Sequence, residues 1–100
     1  MSDITGSTSA EGATFSYDVN PDAPSATVTV SFEGVKIGSV SLNSTDASAS
    51  VGGTVAGTTV KATITANWSE DTITYSLKLD TPFTKSKTYS GTIVHWDTPS

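Results

Sequence analysis

From Thr14 onward the chain alternates apolar and hydroxyl side chains with a period of two residues, and that alternation admits extended strands and little else. Ala26, Val28, Val30 and Phe32 share one face of such a run, with Thr27, Thr29 and Ser31 on the other. The pattern recurs at Phe15-Tyr17-Val19, at Val60-Ala62-Ile64-Ala66-Trp68 and at Ile73-Tyr75-Leu77-Leu79. Thr and Ser together supply 18 and 16 of the 100 residues. Thr favours strands and Ser favours turns and strand edges. Leu, Lys, Glu and Met, the good helix formers, are scarce.

The runs are separated by turn chemistry. Asn20-Pro21-Asp22-Ala23-Pro24 breaks the first from the second, because proline has no N–H for a ladder. Glu33-Gly34 reads as a two-residue hairpin loop. The following run changes parity: Val35 and Ile37 share a face, whereas Val40 and Leu42 lie on the other. One extra residue near Gly38-Ser39 restores the pairing of Val28 with Val40 and Ala26 with Leu42, which is the signature of a β-bulge. Ala47, Ala49 and Val51 form a short edge strand, and Gly52–Gly57 has no readable pattern. For the hairpin around Ser69-Glu70-Asp71-Thr72, opposed charges favour a four-residue loop with Lys61 facing Asp80, over a register that opposes Lys61 to Lys78. The run from Lys87 to Trp96 has apolar residues on both faces, as in a central strand or one with a second bulge.

These readings give an all-β fold: a small antiparallel β-sandwich of about seven strands, with a small meander-type β-barrel as the alternative. Residues 1–13 read as a flexible N-terminal segment, 14–97 as a single β domain and 98–100 as a polar tail.

Charge and composition exclude several function classes. Ten acids and five lysines, with no arginine, give a net charge of −5. That leaves no electrostatic footprint for nucleic acid or an anionic membrane surface. No apolar run approaches the roughly 20 residues that span a bilayer. The absence of cysteine removes disulfides and thiolate chemistry. Met1-Ser2-Asp3-Ile4 has neither the basic nor the apolar region of a signal peptide, although an extracellular module is favoured over a cytoplasmic one.

Few residues carry chemistry. His95 is the single histidine, and nothing around a serine resembles a nucleophile elbow. Glu70-Asp71 is the one adjacent acid pair, and its place at a hairpin tip makes it turn chemistry. Asp18, Asn20 and Asp22 have the oxygen-ligand spacing that opens a calcium loop, but Ala23 and Thr29 stand where such a loop needs Gly and Glu. They form a candidate calcium set in competition with an ordinary turn. Asn43-Ser44-Thr45 and Asn67-Trp68-Ser69 match the glycosylation sequon. Thr27/Thr29, Thr63/Thr65 and Thr72/Thr74 each share a sheet face, a water-ordering array if flat, which Lys61 and Lys78 interrupt.

Sugars stack on exposed aromatic rings, with neighbouring polar groups fixing their orientation. Trp96, His95, Tyr89 and Trp68 are therefore the candidate ligand-binding residues. The functional expectation is a non-catalytic binding module for a carbohydrate or a protein surface. A structural or self-associating β domain is the alternative, and a small hydrolase is disfavoured.

Overall fold

The computed structural model describes residues 3–82 and 85–96. It contains eight strands and no helix among those residues: β1 Ile4–Ala10, β2 Ala13–Asn20, β3 Ser25–Phe32, β4 Val35–Asn43, β5 Ser48–Val55, β6 Thr58–Asn67, β7 Thr72–Asp80 and β8 Lys87–His95. They form two antiparallel four-stranded sheets in the orders β1-β2-β3-β4 and β5-β6-β7-β8. Each sheet is a meander, and the two pack face to face as a sandwich. No backbone ladder joins β4 to β5 or β1 to β8, so the barrel alternative is not what forms. Phe83, Thr84 and the polar tail 98–100 lie outside the described residues.

Eight strands form where about seven are expected, the additional one being β1, which falls within residues 1–13. It pairs with β2 from Ile4↔Val19 to Ala10↔Ala13. Its outer position explains why the sequence hides it. Only Ile4, Thr8 and Ala10 are partly buried, so there is no run of apolar residues to alternate.

Alternation places the core between the sheets. Phe15, Val19, Val28, Val30 and Leu42 from the first sheet meet Val60, Ile64, Ile73 and Leu77 from the second, all nearly or fully buried. Phe15 crosses the interface to stack on Tyr75, with ring centroids 4.6 Å apart.

Three hairpins close on two-residue loops, Glu11-Gly12, Glu33-Gly34 and Ala56-Gly57, with φ near 50° and then near 85°. Two successive positive φ values make type I′ turns, whose twist matches that of the flanking strands. The Glu33-Gly34 loop is the one expected. Ala56-Gly57 resolves the stretch with no readable pattern: β5 runs through Val55 and turns there. Alanine is a poor choice at a left-handed position, where Asn and Gly are tolerated. Ala56→Asn is expected to stabilise the domain by about 0.5–1 kcal/mol. Urea melts of the two proteins measure this, and an unchanged midpoint would contradict the turn geometry.

Both parity faults are bulges. In β4 the pairs Phe32↔Val35, Val28↔Val40 and Ala26↔Leu42 form as expected, and the extra residue is Ile37. In β8 the ladder shifts between Ile73↔Val94 and Thr74↔Thr92, so Ile93 and Val94 are both buried. β8 is an edge strand with a bulge, not a central strand.

The β6–β7 register corrects the charge argument. Lys61 faces Lys78, and pairing ends at Asn67↔Thr72 around a loop of Trp68 to Asp71. The two registers differ by two residues and bury the same faces, so the core does not choose between them. The turn does. Ser69 Oγ donates to Asn67 Oδ1 at 2.8 Å, Glu70 N–H reaches Asn67 at 3.2–3.3 Å, and Trp96 N–H donates to Asp71 O at 3.0 Å. Such bonds contribute about 0.5–1.5 kcal/mol each, against a few tenths for two exposed lysines facing each other. Trp68 consequently leaves the strand.

Candidate functional site

The candidate aromatic site divides between the two ends of the sandwich. Trp68 and Trp96 meet at the end that carries the β6–β7 turn, with centroids 6.0 Å apart and planes tilted by 51°. Trp96 is buried, with 6% of its surface exposed, and its Nε1 has no hydrogen-bond partner among the described residues. Trp68 is half-buried, and its Nε1 donates to Asn43 O at 3.0 Å, tying the β6–β7 turn to the end of β4. His95 is exposed at the same end, opposite Thr72. Tyr89 pairs with Leu77 six residues earlier in β8, about 20 Å away at the strand rise. It lines a separate shallow depression of about 230 Å³ with Phe32, Leu79, Lys85 and Lys87. The structure therefore brings Trp68, Trp96 and His95 together and leaves Tyr89 apart. Trp96 is thus part of the core, whereas Trp68 keeps part of its surface exposed.

The oxygen-ligand set lies along β2 and its turn. Asp18 is exposed on the outer face of the first sheet, between Thr5 and Thr27. Lost hydration, the charge of Asp3 and a hydrogen bond with Asp3 hold its carboxyl above the usual carboxylate range. Asn20 Oδ1 accepts from the N–H groups of Asp22 (3.1 Å) and Ala23 (3.4 Å), which is turn chemistry. Among the described residues no three His, Asp or Glu side chains gather as a metal site. The asparagine of each sequon also uses Oδ1 to cap a turn, Asn43 toward Thr45 and Asp46 and Asn67 toward Ser69 and Glu70.

A more coherent surface is the outer face of the second sheet, which single-strand alternation predicts only in part. Register aligns its hydroxyls into rows that cross all four strands: Ser48–Thr65–Thr74–Thr92 and Ser50–Thr63–Ser76–Ser90. Neighbours in a row are about 4.8 Å apart and successive rows about 6.8 Å apart. Within the first row Ser48 Oγ and Thr65 Oγ1 lie 3.3 Å apart and share a hydrogen bond. The next row is Gly52–Lys61–Lys78–Thr88, followed by Thr54–Thr59–Asp80.

Gly52 leaves a depression of about 300 Å³ between Ser50, Thr54, Thr59 and Lys61. A Cβ at Gly52 would stand 2.8 Å from the Val60 carbonyl oxygen, a backbone atom that cannot yield without moving the β5–β6 ladder. The gap is therefore built into the sheet.

The first sheet also carries hydroxyl rows, Ser7–Ser16–Thr29–Ser39 among them, but its charged members include Asp18 beside Asp3. With Lys36 opposite Ser31, that face carries two acids against one lysine. The outer face of the second sheet has two lysines against one aspartate in its central rows. Comparison of the chain with protein-family models, curated proteins and solved structures finds no significant match.

Proposed function

We propose that this domain is a non-catalytic binding module whose ligand lies on the outer face of the second sheet, and that the ligand is a hydroxyl-rich chain of the carbohydrate class. The observation that carries this reading is the pair of complete Ser/Thr rows beside the gap at Gly52. Every Ser and Thr hydroxyl both donates and accepts, as a sugar hydroxyl does. A row spaced at the strand interval offers repeated partners to a polymer, and the gap at Gly52 admits a substituent below the plane of the side chains. The buried Trp96 and the half-buried Trp68 move the reading away from aromatic stacking and onto this hydroxyl surface.

The test is a panel of soluble glycans titrated into ¹⁵N-labelled protein. Shifts are expected to concentrate at Gly52 and along the two rows. Thr63→Ala and Ser76→Ala are each expected to weaken binding roughly threefold to tenfold, the value of one hydrogen bond. Shifts confined to the first sheet, or none across the panel, would overturn the reading.

A second reading has one observation behind it. The edge strands β1 and β8 meet without a ladder, joined by Thr8 Oγ1 donating to Ile93 O at 2.8 Å. Unpaired edge groups are templates for another strand, which favours self-association. Light scattering decides it: a strict monomer at high concentration removes this reading.

A further inference from the structure

We propose that Lys61 and Lys78 form a two-ammonium clamp for one anionic group, a carboxylate or a sulfate ester, borne by the hydroxyl-rich ligand of this face. The inference rests on the binding reading above and specifies the ligand's charge.

The chain has five lysines against ten acids, yet two of the five stand directly opposite each other. Directly opposed residues have Cβ atoms about 4.5–5.5 Å apart, and like charges there repel. Neither lysine is ion-paired among the described residues. Asp80 lies on the same face, two residues along β7 and opposite Thr59. A register shifted by two would place it against Lys61 and remove the repulsion, but the sheet adopts the other one.

An anion between the ammonium groups reverses the sign of that contact. It receives charge-assisted hydrogen bonds from both, each roughly twice as strong as a neutral one. The surroundings suit a substituent on a polyol. The gap at Gly52 adjoins Lys61, Thr88 ends the same row, and Thr63 and Ser76 supply hydroxyls one row away.

The clamp suits a single charge. Asp80 repels a second anion on its side, and the whole chain carries −5, so a phosphate backbone with a charge at every unit is disfavoured. The first sheet is an internal control, since Asp18 and Asp3 occupy its face and no lysine pair does.

The experiment titrates labelled protein with a galactose trisaccharide bearing a single terminal uronate, a monosulfated disaccharide, a neutral galactose trimer and sodium sulfate, at low salt and at 0.5 M sodium chloride. One or both anionic saccharides are expected to bind at least tenfold tighter than the neutral trimer at low salt, with the advantage lost at high salt. Lys61→Gln and Lys78→Gln are each expected to erase that advantage, bringing the anionic saccharides to the affinity of the neutral trimer. Lys78→Glu is expected to raise Tm while abolishing the anionic preference, because it relieves the repulsion and removes the clamp.

Equal binding of neutral and anionic saccharides, unaffected by the lysine variants, overturns the clamp and leaves the binding reading standing. Sodium sulfate shifting Lys61 and Lys78 while no saccharide binds supports an anion site and overturns the carbohydrate reading. Silence from all four ligands overturns both.

Discussion

Phe15→Ala is expected to destabilise the domain by about 3–5 kcal/mol, the range for truncating a fully buried phenylalanine. Phe15 has no exposed surface and its ring stacks on Tyr75 at 4.6 Å, so the same side chain fills the first sheet's inner face and grips the second. The loss has three parts: apolar area returned to water, a cavity that the strands on either side cannot close, and the aromatic contact itself. A domain of this size has about 5–15 kcal/mol in total, so the variant sits near the edge of folding at 37 °C. At about 4–8 °C per kcal/mol its Tm falls by more than 10 °C. A cycle of Phe15→Leu and Tyr75→Leu isolates the stacking term, expected at about 0.5–1.5 kcal/mol. Calorimetry of the wild type, Phe15→Ala and the three variants of the cycle measures both quantities. A loss below about 1 kcal/mol for Phe15→Ala would mean that the sheets do not share this core.

The parts of the fold legible in the sequence were those governed by side-chain parity. Val28, Val30 and Phe32 go inward because a sheet with one wet face sorts residues two by two, and the fault between Ile37 and Val40 announced its bulge for the same reason. Parity cannot see an element that buries little, which is why β1 was hidden. It is equally blind to a shift of two residues. The β6–β7 register was settled by the bonds around Asn67, which exist only once the turn is formed.

The candidate site shows the same division. Thr63/Thr65 and Thr72/Thr74 were visible as pairs on a face, but the rows across four strands, and the meeting of Lys61 with Lys78, depend on register. The aromatic reading failed to separate core from surface for Trp96, because a bulge at Ile93 changes which way the end of β8 faces. The gap at Gly52 carried a faint signal, a Gly-Gly pair inside an otherwise unreadable stretch, and its cause is the approach of the Val60 carbonyl.

The junction of the two sheets supplies the second large effect. β4 and β5 face each other across the sandwich edge through a reciprocal pair of glycines. Val51 of β5 fills the space over Gly38, and Ile37 of β4 fills the space over Gly53. The two gaps are not equivalent. A Cβ at Gly38 would come 2.4 Å from Val51 Cγ2, a separation that real side chains do not tolerate. Valine is branched and stiff at χ1, so it cannot swing aside, and the backbone of one sheet must move instead. Gly38→Ala is therefore expected to cost about 1–3 kcal/mol despite adding a single methyl group. At Gly53 a Cβ would meet Ile37 at 3.5 and 3.7 Å, ordinary contact distances. Gly53→Ala should accordingly be neutral or stabilise by up to about 1 kcal/mol, through the entropy removed from the unfolded chain. Val51→Ala opens the space over Gly38, so the double variant Gly38→Ala/Val51→Ala is expected to be more stable than Gly38→Ala alone. Urea unfolding of the four proteins reads these differences directly. Equal effects at Gly38 and Gly53, or no rescue by Val51→Ala, would show that the sheets do not meet in this register and that the core between them is arranged differently.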